Sequence, residues 1–317
     1  MPTEPSSTDL PRPIGRLLDP AELKALSRRS TARGAAQLAL HLAMLAASAA
    51  LVAWSRGAPA LLVPALLVPA MVLHGWLLLA LFAPLHETAH YTAFVARPLN
   101  LTVGWLCGLP ALFNWHYYQL FHFAHHRHTQ DPARDPELDP PAPRDRLDYL
   151  LRLTGWHTWK GRVRVMARLA LGRAETFAFI PEAARARVVA SARLQLAATL
   201  LFVAIAVAAG RGVDLLVFWI GPVLLAMPLL RAYLLVEHTG CSEDDDGLAN
   251  TRTTLTAAFV RASMWNMPFH AEHHLFPSIP FHALPAVHAR IAPHLRHVAP
   301  GYVRATASIL GALPRSR

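Results

Sequence analysis

Charged residues are absent from long runs of this chain. Residues 35–54 and 58–85 contain no Asp, Glu, Lys or Arg. Residues 195–210 form a shorter uncharged run, and 213–236 is interrupted only by Asp214 and Arg231, each near one end. A helix crossing a bilayer needs about 20 apolar residues. The pattern therefore predicts four membrane helices, near 35–54, 60–84, 193–210 and 213–237, joined by short turns into two hairpins. Residues 99–113 are apolar too, but 15 residues at 1.5 Å each reach about 22 Å, short of a hydrocarbon core of about 30 Å. With Gly104, Gly108 and Pro110 inside it, this segment is expected to be re-entrant or interfacial and to return to the side it left.

The polar stretches complete the outline. Residues 129–145 (TQDPARDPELDPPAPRD) are too proline-rich for a helix and read as an ordered turn or loop. From about 146 to 193 arginines alternate with apolar residues. That suits helices lying on an anionic leaflet, with Trp156 and Trp159 at headgroup level. The Pro/Ser-rich start predicts a disordered cytoplasmic tail over 1–20, followed by one domain over 21–317. The fold class expected is all-α and integral to the membrane, with a cytoplasmic helical cap.

Composition agrees: 54% of residues are hydrophobic and 16% charged, against about 25% charged in soluble domains. Cys107 and Cys241 alone support neither a disulfide framework nor a cysteine zinc site. The net charge of +10 is read as membrane orientation and not as nucleic-acid binding. Arg12, Arg16, Lys24, Arg28, Arg29 and Arg33 precede the first helix, while the short turns after helices one and three carry only Arg56 and Arg211. Arginine-rich flanks stay inside, which puts both termini and the large middle segment in the cytoplasm.

The candidate chemistry lies in three clusters near the ends of these segments: HETAH (His86, His90), HFAHH (His122, His125, His126) and HAEHH (His270, His273, His274). Residues four apart share a helix face, so His86/His90, His122/His126 and His270/His274 can each aim at one point. His125 and His273 can point elsewhere. One ion rarely takes more than about four to six ligands, so eight clustered imidazoles suggest two ions. Imidazole suits Zn, Cu, Fe or Ni, and a redox role at a membrane favours iron. A shared site requires 99–113 not to cross, since crossing would put HFAHH and HETAH on opposite faces. HETAH also matches the H-E-x-x-H signature of zinc proteases with Glu87 as base, but that reading leaves the other two clusters unexplained.

Ligand imidazoles usually donate their second N–H to an acceptor. Glu87, Asp131, Asp135 and Glu272 are the candidate acceptors, and His128 is a candidate extra ligand or outer partner. His74 precedes His86 by 12 residues, about 18 Å along a helix. Like His41, it is expected in a packed polar contact. His116 and His157 are expected at the interface, and His282, His288, His294 and His297 in solvated or packing roles.

The boxes HETAH, HFAHHRHTQDP and WNMPFHAEHHLFPSIP resemble, in order and spacing, the three histidine boxes of the membrane fatty acid desaturase and hydroxylase superfamily. The resemblance covers roughly residues 35–290. It implies a four-helix membrane fold holding two irons, which uses O₂ to remove hydrogen from an unactivated C–H position of a lipid. It carries over His86, His90, His122, His125, His126, His270, His273 and His274 as ligands, and adds His238 as a ninth at the end of helix four. Where acyl-CoA desaturases have an asparagine four residues earlier, this chain has Leu234; Asn266 or Glu237 are the candidates to stand in. The expected function is desaturation of an acyl chain. The alternative is a hydroxylase or ketolase acting on an acyl chain, alkane or carotenoid. Trp105, Trp115, Trp265 and Phe269 are candidates to line the substrate tunnel, with packing as the competing role. The chain lacks a fused cytochrome b5 signature and a flavin or nicotinamide fingerprint. Electrons are therefore expected from a separate ferredoxin, rubredoxin or cytochrome b5, steered by the basic face of a protein in a bacterial cytoplasmic membrane.

Overall fold

A computed structural model describes residues 17–315. Its helices are α1 (Pro20–Leu26), α2 (Thr31–Arg56), α3 (Val63–Ala80), α4 (Phe82–Ala89), α5 (Arg97–Gly108), α6 (Trp115–His128), α7 (Arg146–Leu153) and α8 (Trp156–Ala170). They continue with α9 (Glu182–Ala208), α10 (Gly212–Leu215), α11 (Gly221–His238), α12 (Ala258–Ser263), α13 (His270–Leu275), α14 (Leu284–Ile291) and α15 (Tyr302–Ala312). Two short parallel strands, β1 (Thr253–Thr254) and β2 (Val298–Ala299), pair Thr253 with Val298 and Thr254 with Ala299.

Four helical stretches are long and apolar enough to cross a bilayer: Thr31–Arg56, Val63–Ala89, Glu182–Ala208 and Gly212–His238. They match the four expected segments, with altered limits. The second joins α3 and α4, so HETAH forms the last turns of a span and not the segment after it. The third begins at Glu182, so 182–192 belongs to α9 and not to an interfacial helix. Pro181 precedes its first turn and no Gly or Pro interrupts the helix before its end. The expected tail over 1–20 falls largely outside the described residues. Within 17–20, Leu18 is buried in the main core and the Asp19 side chain caps α1 by accepting the Glu22 N–H.

The outer faces of these helices are apolar. On α9, Leu201 is 62% and Ile205 59% exposed, and the neighbouring Leu194, Leu200, Phe202 and Val207 are exposed as well. An apolar stripe of that extent on a helix suits hydrocarbon and not water. The core lies on the inner side, where α3 packs against both α2 and α11. Gly75 makes the second contact possible, because a Cβ there would stand 1.9 Å from the Pro222 carbonyl oxygen. His41 Nε2 meets the Leu77 carbonyl, and His74 lies between Ser48 Oγ and the Phe218 carbonyl, the packed polar contacts expected of both.

The apolar segment 99–113 is a 12-residue helix, α5, followed by a turn in which Leu112 takes a left-handed φ of 57°. α5 packs back on α4 and delivers the chain to α6 on the same side as HETAH.

Candidate metal centre

The three clusters lie on α4 with its C-cap His90, on α6 and on α13, and His238 lies on the last turn of α11. Left-handed non-glycine residues turn the chain sharply beside each cluster. Tyr91 (φ 58°) follows His90, Gln130 (φ 64°) follows the second cluster, and Trp265 and Asn266 (φ 49° and 57°) precede the third. Such conformations persist only where surrounding packing enforces them. Trp265 is fully buried, and the Gln130 amide donates its N–H to Asp135 and its side-chain N–H to the His238 carbonyl.

All nine imidazoles converge, as two groups. His86, His90, His122, His126 and His273 form one; His125, His238 and His274 form the other. Within the first, Nε2–Nε2 separations are 2.8 Å for His90–His122, 3.0 Å for His122–His126, 3.1 Å for His126–His273 and 2.8 Å for His273–His86. His270 joins the second, its Nε2 3.1 Å from that of His274 and 3.2 Å from that of His238. Two donors at right angles, each about 2.1 Å from one ion, lie about 3.0 Å apart. The spacing therefore fits first-row metal ions.

The outward nitrogens supply an independent test of that fit. His238 Nδ1–H donates to the Asn250 carbonyl at 3.1 Å, and His125 Nδ1–H faces both Asp135 oxygens at 3.0 Å. A neutral imidazole protonated at Nδ1 presents a lone pair at Nε2. Both rings therefore offer a lone pair towards the second group, as ligands of a shared cation do. The donor set, all imidazole at the centre, suits iron or zinc and not magnesium or calcium.

Burial keeps most of these rings neutral. It pushes His90 down to about 3. His122, His126, His270, His273 and His274 also lie well below the usual histidine range, burial being the largest cause and neighbouring imidazoles the next. His125 is the exception. Burial lowers it, but the nearby Glu137 carboxylate and the Asp135 contact outweigh burial and raise it.

The surrounding residues divide. Asp135 faces a clustered imidazole, as expected, and Glu237 Oε1 lies 3.5 Å from His270 Nδ1. Asp131 does not reach the imidazoles: it accepts the Ala133 N–H and pairs with Arg134, capping its own turn. Glu272 is buried, but it bonds to His288 Nδ1 and Thr253 Oγ1, which also gives His288 a defined partner. Glu87 accepts the Phe281 N–H at 3.0 Å and not an imidazole N–H. That anchor ties it to the chain after the third cluster. Asn266 donates to the Phe281 carbonyl, outside both groups, as is His128, which lines the opening described below. His116 contacts Ser191 Oγ at 2.9 Å, a packed contact, whereas His157 is exposed. Trp115 is buried and donates from Nε1 to Thr88 Oγ1, Trp265 is buried against Phe281, and Phe269 packs on His288. Trp105 packs partly buried against the main core. All four are in packing positions.

Some contacts escaped the sequence reading. Tyr118 Oη lies 3.1 Å from His86 Nδ1 and Thr129 Oγ1 3.2 Å from His274 Nδ1. Tyr118 precedes His122 by one turn, and Thr129 follows His125 by one, so helical spacing was the available signal. Phe82, Phe113 and Tyr118 form an aromatic wall beside His86. On another side, a cavity of about 480 Å³ opens past His126 and His274 between Arg127, Arg134, Glu243, Asp244 and Asp245.

Comparison with known proteins adds one result. No curated protein matches the chain. The sequence profile of the fatty acid desaturase family matches residues 62–306, a region containing every clustered histidine and three of the four candidate spans. With its histidine boxes gathered into two metal-compatible groups at the ends of apolar helices, the chain belongs to the fatty acid desaturase family and is an oxidoreductase of the desaturase and hydroxylase type.

Proposed function

We propose that the protein is an iron-dependent desaturase that introduces a double bond into a lipid acyl chain. The observation that carries this reading is the pair of imidazole groups, with the five and four donors they offer. His86, His90, His122, His126 and His273 would hold one iron; His125, His238, His270 and His274 would hold the second. Bound there, the two irons supply the O₂ chemistry that removes hydrogen from an unactivated methylene. The protein's own part is to fix the geometry. Asp135 and Asn250 hold His125 and His238 in the tautomer that offers Nε2. The wall of Phe82, Phe113 and Tyr118 excludes water beside His86 and offers an apolar surface to an acyl chain. Two electrons must arrive from a separate carrier. The cavity at His126 and His274 offers an approach, and its rim mixes arginines with acids, so charge steering there is weaker than the overall charge of +10 implies. In this reading residues 21–317 act as one unit, with both termini cytoplasmic.

The test is expression with a ferredoxin, rubredoxin or cytochrome b5 partner, followed by mass spectrometry of total lipids and metal analysis of purified protein. Desaturation appears as acyl chains lacking two hydrogens. A gain of one oxygen assigns the protein to the hydroxylases. Tightly bound zinc with no iron would overturn the reading.

A further inference from the structure

The two groups are unequal. The first offers five imidazoles and the second four, counting His270. Leu234, one turn before His238, has no donor atom and packs against the main core. A fifth group able to bind a cation does lie beside the second group. Glu137 Oε2 stands 3.2 Å from His125 Nε2, and the Glu137 side chain is 40% exposed while that of His125 is 2% exposed.

That contact is unusual because of what holds the other side of the ring. His125 Nδ1 faces Asp135, whose side chain is 1% exposed, at 3.0 Å. A carboxylate only accepts, so Nδ1 carries the proton. Nε2 of the neutral ring is then a lone pair, and it confronts a second carboxylate. Two acceptors at this distance require either a further proton on a deeply buried ring or a cation between them. The same ring nitrogen belongs to the second imidazole group, whose donors converge as metal ligands do. An imidazole nitrogen and a carboxylate oxygen on adjacent positions of one ion, each about 2.1 Å from it, are separated by about 3.0 Å. The cation explanation therefore accounts for both the contact and the convergence.

The backbone places this carboxylate deliberately. Residues 135–138 form a 3₁₀ turn in which Asp135 accepts the Glu137 N–H at 2.9 Å. The Leu138 N–H donates to the Asp135 carbonyl at 3.1 Å. Pro136 fixes φ at the start of the turn. One turn thus aims two carboxylates at opposite nitrogens of one imidazole.

We infer that Glu137 is a carboxylate ligand of the second metal ion, a fifth donor beside its four imidazoles. The inference rests on the di-iron reading above, and the experiment separates the two. Iron per chain and the Mössbauer spectrum are measured on ⁵⁷Fe-loaded wild-type protein, then on Glu137→Ala and Glu137→Gln. A wild type with two irons per chain upholds the di-iron reading; one without iron sinks that reading and this one with it. Given two irons, Glu137→Ala is expected to lose up to half of its iron or to weaken one iron at least tenfold in chelator competition. Only one of the two quadrupole doublets should change. Glu137→Gln, which keeps the side chain's shape, should alter the same doublet and guards against a folding defect in the alanine variant. Two irons with an unaltered spectrum in both variants would overturn the assignment. A purely structural acceptor role predicts that outcome, since Glu137 is partly exposed and its removal leaves the turn's own hydrogen bonds intact.

Discussion

At the scale of single residues, the centre depends on which nitrogen each imidazole presents. Asp135→Asn keeps the turn but removes the charge that fixes the His125 tautomer. Partners of this kind are typically worth 10–100-fold in metal affinity. With two irons bound as proposed, a loss of about tenfold at one of them is expected, read by chelator competition at fixed pH; no change would mean the tautomer is set elsewhere. A second residue-scale effect lies away from the metals. Arg33 donates to His282 Nδ1 at 3.0 Å. Burial first, and then the Arg33 charge, push His282 down to about 4. The unfolded chain binds a proton at that position below about pH 6.5, which the folded chain refuses. Stability from this site is therefore full above about 6.5 and is lost as pH falls towards 4. His282→Gln should flatten that part of the acid-side fall in Tm, and an unchanged slope would refute the argument. Eight of the nine histidines were legible in the sequence because i,i+4 spacing within three clusters is itself a geometric statement, whereas His238 came only from the family resemblance. Glu137 was not, because an acid in a proline-rich turn has the same pattern whether it faces water or a ligand. Glu87 and Glu272 were misplaced for a related reason: adjacency to a ligand in sequence puts an acid on a different helix face, where Phe281 and His288 meet them.

At the scale of elements, packing decided what hydrophobic runs left open. The four spans were legible because roughly 20 uncharged residues have few alternatives. Their limits were not. Arg185, Arg187 and Arg193 made the start of α9 look interfacial, yet arginine is a good helix former and does not end a helix. The second span likewise continues into HETAH as far as Ala89, because a polar motif with no Gly or Pro gives a helix little reason to stop earlier. Close approach between spans depends on small residues. Gly75 brings α3 against α11, the helix that ends in His238, and the clash of an added Cβ would be with backbone at Pro222. Overpacking of this kind costs about 1–3 kcal/mol. Gly75→Ala should lower the apparent Tm in detergent by several degrees. Gly161→Ala is the control, because a Cβ there meets no atom within 4 Å. Equal behaviour of the two variants would show that the α3–α11 contact is not limiting.

At the scale of the whole molecule, the metal centre is also where distant parts of the chain are joined. The imidazoles come from α4, α6, α11 and α13, and the second and third clusters are more than 140 positions apart in sequence, as in the 3.1 Å His126–His273 approach (|i−j| = 147). Without cations these imidazoles have no shared partner at their centre. The histidine ends of the four elements then lose their shared attraction while the lipid-facing helices keep theirs. Ligand binding to the folded state alone stabilises by about 2.7 kcal/mol at a concentration of 100 Kd. Chelation should therefore lower the apparent Tm, and ferrous iron should restore it. The loss should also be local. Amide exchange is expected to rise in α13 and the end of α6, whereas α2 and α9, which contribute no imidazole to either group, should keep their protection. Uniform loss across all helices would mean that the ions hold the entire fold. An unaltered Tm with intact protection in α13 would mean that packing alone positions the histidines, and that the ions only occupy a site already made.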